Sequence, residues 1–164
     1  GYTISLPEND SVHMTRQKLI DNITGLLGGR AAEKVALDDI CTGATNDIER
    51  ATELARRMVM EFGMSDMLGP MTFGSGSQEV FLGRDFARSR NYSEEVAAAI
   101  DKEVRLIIEN GFVKAQEILS ENKTALMKLT EVLLEKETLT GKEFKDIFDS
   151  VTKEKPDKDN DNIE

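Results

Sequence analysis

The chain has 164 residues, 39% apolar and 32% charged, enough for one domain with a modest core. A formal charge of −10 repels phosphate backbones, and neither a basic face nor a Gly-rich phosphate loop offsets it, so nucleic acid is not an expected partner. No window approaches the roughly 20 apolar residues that cross a bilayer, no signal-peptide pattern opens the chain, and the single Cys41 leaves no internal disulfide; a soluble segment in a reducing compartment is expected.

In chain order, Gly1 to Pro7 has β-formers in rough alternation ending at a proline, which predicts a short edge strand able to pair with another chain. From Thr15 to about Val35, Leu19, Ile20, Ile23, Leu26, Leu27, Ala31 and Val35 recur every three or four residues and define a buried helical face. Gly25, Gly28 and Gly29 interrupt it. Each mid-helix glycine costs up to about 1 kcal/mol relative to alanine, so three together imply the close approach of another backbone.

The next helix is expected to begin near Asn46. Asn46 suits the N-cap and Glu49 the third helical position, the pattern of a capping box. Ile48, Ala51, Ala55, Met58, Val59 and Phe62 follow at helical spacing and stop at Gly63. Asp47 then lies in the first turn, where the helix dipole favours the ionised form and the preceding loop lets its oxygens point away from the helix body. A carboxylate so placed suits a hard metal ligand, although most first-turn acids only complement the dipole.

Residues 63 to 92 carry Gly63, Gly69, Pro70, Gly74, Gly76 and Gly83 around short apolar runs such as Val80-Phe81-Leu82, which predicts a mobile loop. Arg84, Arg88 and Arg90 fit a solvated basic loop better than a subunit contact. Ser93 begins the longest helix, with a core stripe of Val96, Ile100, Val104, Ile107, Gly111, Ala115 and Ile118. Asn122 is expected to cap a further helix built on Leu126, Leu129, Val132 and Leu133. Thr140 and Glu143 spell a capping box ahead of Phe144, Ile147, Phe148 and Val151. Glu94, Glu95, Asp101, Glu103 and Glu109 lie off the stripe and read as a solvated face.

From Thr152 the chain is charged and nearly free of apolar residues, so a disordered tail is expected. Asp157, Asp159 and Asp161 alternate as in a calcium loop, but the glycine and distal Glu of that loop are absent. The fold class is mainly α: an antiparallel helical array with a short N-terminal extended segment and a disordered C-terminal tail.

Three blocks occur in order: Leu26-Leu27-Gly28-Gly29-Arg30-Ala31-Ala32-Glu33, Thr42-Gly43-Ala44-Thr45-Asn46-Asp47-Ile48-Glu49-Arg50-Ala51-Thr52, and Gly63-Met64-Ser65 with Leu68-Gly69-Pro70. With Val80-Phe81-Leu82-Gly83-Arg84 and the helical stretch to about Phe148, they resemble the FtsH family of membrane-anchored, ATP-dependent zinc metalloproteases. The resemblance implies that residues 1–151 are the C-terminal part of a protease domain, followed by an acidic tail over 152–164. It makes Asp47 the match for the family's third zinc ligand. The family's H-E-x-x-H motif, two histidines on zinc with a glutamate as general base, does not occur here, and His13 is the only histidine. The chain alone is therefore expected to be inactive.

The resemblance further implies that Glu33 lies near zinc, where its carboxylate would accept the second ring N–H of a histidine ligand; a surface ion pair with Arg30 is the alternative. It implies that Tyr2 and Thr3 belong to an extended segment that receives substrate by strand addition; a strand end that only packs against the absent catalytic helix is the alternative. Zinc is the implied cofactor, and ATP belongs to a module outside these residues. The implied partners are membrane and unfolded soluble protein substrates and a homo-hexamer, with membrane attachment through N-terminal segments outside this chain and the domain on the cytoplasmic side. The competing reading is a non-catalytic helical interaction or assembly module in which every acid, Asp47 included, is structural. A Cys41 nucleophile would need a histidine base, and nothing in the spacing brings His13 to it.

Overall fold

Apolar residues at three-and-four spacing form the first helix, α1 (Arg16–Leu37), in a computed structural model that describes residues 14–74 and 92–153. The Thr15 hydroxyl caps it, accepting the Lys18 amide at 3.2 Å. It stops at Asp38, whose backbone turns left-handed at φ 50° while its carboxylate receives Lys34 Nζ at 2.6 Å. A single 3₁₀ turn over Thr42–Ala44 leads into α2 (Thr45–Met60). Three more helices follow: α3 (Glu94–Glu121), α4 (Lys123–Lys136) and α5 (Gly141–Lys153). The mainly α class is as the sequence predicts. Among the described residues the β structure amounts to an isolated bridge between Ser65 and Gly69. The predicted N-terminal extended segment and most of the predicted tail lie outside the described residues.

The core forms where α1, α2 and α3 meet. Ile23, Met58, Val59 and Ile100 are fully buried, with Leu19, Leu27, Ala51, Ala55 and Val104 around them. Fully burying an aliphatic side chain of this size contributes about 1.5–3 kcal/mol, so this cluster dominates the stability of the fold. Close approach of α1 and α3 depends on Gly111. A Cβ there would sit 3.2 Å from Ile23 Cγ2 and 3.4 Å from Leu27 Cδ1. A Cβ at Gly25, Gly28 or Gly29 meets nothing within 4 Å among the described residues, so the backbone expected to approach this face of α1 is not one of theirs.

Residues 63–74 correct the expectation of a mobile loop for their part of the segment. Gly63, Gly69 and Gly74 take positive φ, and a Cβ at Gly63 would come within 3.2 Å of Pro70 Cα. The Phe73 amide donates to Met60 O at 2.8 Å and the Met64 amide to Met58 O at 2.9 Å, so the loop doubles back on the end of α2. Buried Ser65 donates to Glu103 Oε2 at 2.7 Å and accepts the Leu68 amide at 3.0 Å. Glu103 is thus half-buried and tied to this turn, not part of a solvated face. Phe62 also departs from its predicted place in the core stripe. It follows the end of α2, is 41% exposed and lies under the Arg57 guanidinium at 5.1 Å. Residues 75–91, with the Val80-Phe81-Leu82 run and Arg84, Arg88 and Arg90, are outside the described set.

Asn122 stands between α3 and α4 as expected, but its side chain caps the helix behind it. Its Nδ2 donates to Ile118 O at 2.8 Å, and α4 begins without a side-chain cap. The same carbonyl also accepts the Asn122 backbone N–H at 3.2 Å, so main chain and side chain together close the end of α3. The Thr140–Glu143 capping box forms as read: Glu143 Oε2 accepts the Thr140 amide at 2.9 Å, and Thr140 Oγ1 accepts the Glu143 amide at 3.3 Å. Helices α4 and α5 pair across the short connection 137–140, with Phe144 and Phe148 stacked 6.3 Å apart.

Candidate metal centre

The approach to α2 is built differently from the predicted capping box. Asn46 already lies inside the helix, and Ala44 occupies the N-cap without a side-chain bond. A residue in helical conformation has lost the extended backbone from which an Asn side chain accepts the free amides two or three residues ahead. The 3₁₀ turn takes over that role. Thr45 donates its amide and its hydroxyl to Thr42 O, the hydroxyl at 2.8 Å, and the Gly43 amide donates to Cys41 Sγ at 3.3 Å. The chain therefore enters α2 already wound.

Asp47 occupies the first turn as predicted. Its side chain is 49% exposed and its Oδ1 lies 3.4 Å from Arg50 Nη1, a long ion pair one turn on. Beneath it, Ala51, Ala55, Met58 and Val59 are buried against the core, so the helix that carries the carboxylate is firmly seated.

Glu33, near the end of α1, engages the 38–44 loop. Its Oε1 accepts the Cys41 thiol hydrogen at 2.6 Å and its Oε2 the Cys41 amide at 3.2 Å. Arg30 Nη1 stands 3.6 Å from Oε2, which is the ion pair weighed as the alternative from sequence. The thiol hydrogen bond, then the amide, and to a smaller degree Arg30 hold the Glu33 carboxyl below its ordinary value, and desolvation only partly opposes them. Only 19% of the Glu33 side chain is exposed. The Cys41 partnership had no periodic signal to announce it, since the two residues are eight positions apart across an irregular turn. Tyr2, Thr3 and His13 lie outside the described residues.

Residues 1–147 match peptidase family M41. The chain belongs to that family. Among curated M41 relatives, it is 56% identical over 148 residues to the ATP-dependent zinc metalloprotease FtsH 1 of Thermoanaerobacter sp. (strain X514), a match covering 90% of the chain and 24% of that protein. It is 56% identical over 145 residues to the ATP-dependent zinc metalloprotease FtsH of Caldicellulosiruptor bescii, covering 88% of the chain and 24% of the relative. The Thermotoga maritima protein of the same name is 52% identical over 148 residues, again with 90% and 24% covered. The chain thus spans about a quarter of the length of these curated relatives.

The names of the relatives carry zinc, and the M41 chain's own residues meet that demand in part. Asp47 is a hard oxygen donor on a rigid helix with much of its surface open, as a zinc-binding carboxylate requires. Among the described residues, however, no three of His, Cys, Asp and Glu come together in a way that could hold a metal. Catalytic zinc sites take three ligands from protein. No described helix is long and apolar enough to cross a membrane.

Proposed function

We propose that this M41 chain is part of the peptidase domain of an ATP-dependent zinc metalloendopeptidase of the FtsH type, and that Asp47 is its carboxylate ligand to zinc. The observation that carries the reading is the position of Asp47: first turn of a core-anchored helix, half-exposed, held by nothing stronger than a long ion pair to Arg50. Zinc in such a site polarises the scissile carbonyl and activates water. What this chain contributes is the ligand's placement, with the 3₁₀ turn from Thr42 leading into α2, which Ala51, Ala55 and Met58 pin below.

The remainder of the machinery belongs to other segments of the enzyme. Histidine ligands and the general base come from an H-E-x-x-H helix, ATP binds a separate module, and a membrane anchor places the peptidase domain on the cytoplasmic side. Substrates are membrane and unfolded soluble proteins, with Tyr2 and Thr3 pairing to their backbone, and the intact enzyme is a homo-hexamer. Without the histidines, the 164-residue chain alone has no peptidase activity.

The test is zinc-dependent cleavage of casein by this chain and by a chain extended upstream through an H-E-x-x-H segment, each with and without Asp47→Asn. Activity in the extended chain alone, abolished with zinc retention by Asp47→Asn, supports the reading. An extended chain that folds but neither holds zinc nor cleaves supports the non-catalytic assembly module instead.

A further inference from the structure

The last turns of α1 and the second half of α3 frame a cleft of about 370 Å³, none of whose lining residues belongs to α2. Its bed is apolar: Phe112 is half-buried and packs against the core cluster, and Ile40, 61% exposed, lies on the wall. A space of this size with an apolar lining and a few polar groups suits a small ligand. The cationic group is Arg30. Its side chain is only 19% exposed, and the Glu33 carboxylate, at 3.6 Å, is beyond hydrogen-bond reach. Among the described residues no buried side-chain nitrogen lacks a partner, so the free N–H groups of Arg30 are those that open to the cleft. A guanidinium in this state matches a carboxylate, which can take two of its N–H groups at once.

The other end of the cleft has the opposite character. Past the left-handed turn at Asp38, the Asp39 carboxylate takes the Ile40 amide at 2.8 Å through Oδ1, which leaves Oδ2 for a further donor. The carbonyls that end α1 add negative potential there, which favours a cation. Between the two ends Lys34 and Asp38 satisfy each other at 2.6 Å and cancel in charge. Arg30 and Asp38 are eight residues apart, roughly 12 Å along a helix axis, and about three extended residues cover nearly that distance.

We propose that this cleft binds short apolar peptides of about three residues by their two charged ends, with the C-terminal carboxylate on Arg30, the side chains on Phe112 and Ile40, and the ammonium at Asp39. A new carboxylate and a new ammonium are what peptide hydrolysis creates, so the ligand class is the product class of the reaction proposed above. That link rests on the peptidase reading, whereas the binding itself does not.

The experiment photo-crosslinks the full-length protein with the tripeptide Leu-Leu-photoleucine, maps the labelled residues by mass spectrometry and takes affinity from the yield against concentration. Labels are expected on residues 30–40 of α1 and its loop and on residues 112–116 of α3. Amidation of the peptide's C-terminus should weaken binding by about tenfold or more, as loss of a hydrogen-bonded charge does, and Arg30→Met should bind the acid and the amide alike. N-acetylation should weaken binding to the unaltered protein and make no difference to Asp39→Asn. Labels absent from both stretches overturn the proposal. So does equal binding of acid and amide by the unaltered protein, a comparison that needs no variant to fold. Competition by hexanoate at the concentrations at which the tripeptide itself competes overturns the peptide assignment, since the ammonium end would then contribute nothing. Labelling is read whether or not the protein cleaves, so its failure is distinct from failure of the peptidase reading, which casein cleavage tests.

Discussion

The α1–α2–α3 core and the α4–α5 hairpin are made of similar amphipathic helices yet are held by different forces. In the first, Ile23, Ala51, Ala55, Met58 and Val59 reach 0% exposure, and every helix buries residues contributed by the other two. In the second, Ala125 and Leu129 are buried at 1% and 8%, whereas Leu133, Leu134 and Phe144 are 44%, 80% and 50% exposed. Its best-formed interactions are local and polar: the Thr140–Glu143 box, Lys136 with Glu143 at 3.0 Å, and Lys128 with Glu131 at 3.1 Å. Apolar burial between distant segments resists salt and acid, while exposed polar contacts within a few turns do not. Opening of the hairpin is therefore expected at lower free energy than opening of the core. Asp47 lies on the resistant side of this divide.

The sharpest way to break the comparison is to remove a side chain from each region. Ile23→Ala should destabilise the chain by about 2–5 kcal/mol, since a fully buried aliphatic group leaves a cavity that three packed helices cannot close. Leu129→Ala should cost about 2 kcal/mol or less and act mainly on α4 and α5, whose neighbours are free to collapse inward. Denaturant unfolding gives the first figure and amide hydrogen exchange localises the second. Equal costs, or global loss of protection in both variants, would show that the hairpin belongs to the same cooperative unit as the core.

Glycines sharpen the contrast because the same substitution should have opposite signs. At Gly111 a Cβ meets Ile23 Cγ2 at 3.2 Å, and the overpacking cost of about 1–3 kcal/mol outweighs the gain of up to about 1 kcal/mol from better helix propensity. At Gly25 nothing lies within 4 Å, so Gly25→Ala should stabilise this chain by about 0.5–1 kcal/mol. Thermal unfolding of the two variants decides it. Destabilisation by Gly25→Ala would mean that a neighbour outside the described residues packs on that face.

How much of this was legible in the sequence follows the same divide between local and non-local causes. Ser93 as an N-cap and the Thr140–Glu143 box are properties of adjacent residues and stand where capping rules put them, and the helical stripes follow periodicity except at Phe62, Ile118 and Leu133, which are 41%, 46% and 44% exposed near the ends of their helices. The Asn46 cap failed because the rule assumes an extended approach, whereas Cys41 and the 3₁₀ turn bring the chain in already helical. Glu103 was assigned to solvent because its partner, Ser65, is 38 residues away. Of the candidate site, the first-turn place of Asp47 was readable from the chain itself, but the zinc-ligand role proposed for it rests only on family resemblance. The Glu33–Cys41 contact was not readable, since it spans a loop with no repeating pattern.

Acid should act on the hairpin through one carboxyl in particular. The Thr140 amide, then Lys136 and the Thr140 hydroxyl, lower the Glu143 carboxyl from 4.5 to about 2. Because the folded value lies below the unfolded one, the contribution is fully present above about pH 4.5 and is lost as pH falls toward about 2. Glu143→Gln removes the titrating group and keeps an acceptor for the Thr140 amide. The stability of α4 and α5, followed by hydrogen exchange, should therefore be lower in the variant at neutral pH and converge on that of the unaltered chain near the acid end. With Glu143 and Lys136 both substantially exposed, added salt should shrink the Lys136 share of the difference and leave the Thr140 hydrogen bonds. A difference that is constant across this pH range would instead place the worth of Glu143 in shape and hydrogen bonding, with its charge contributing nothing.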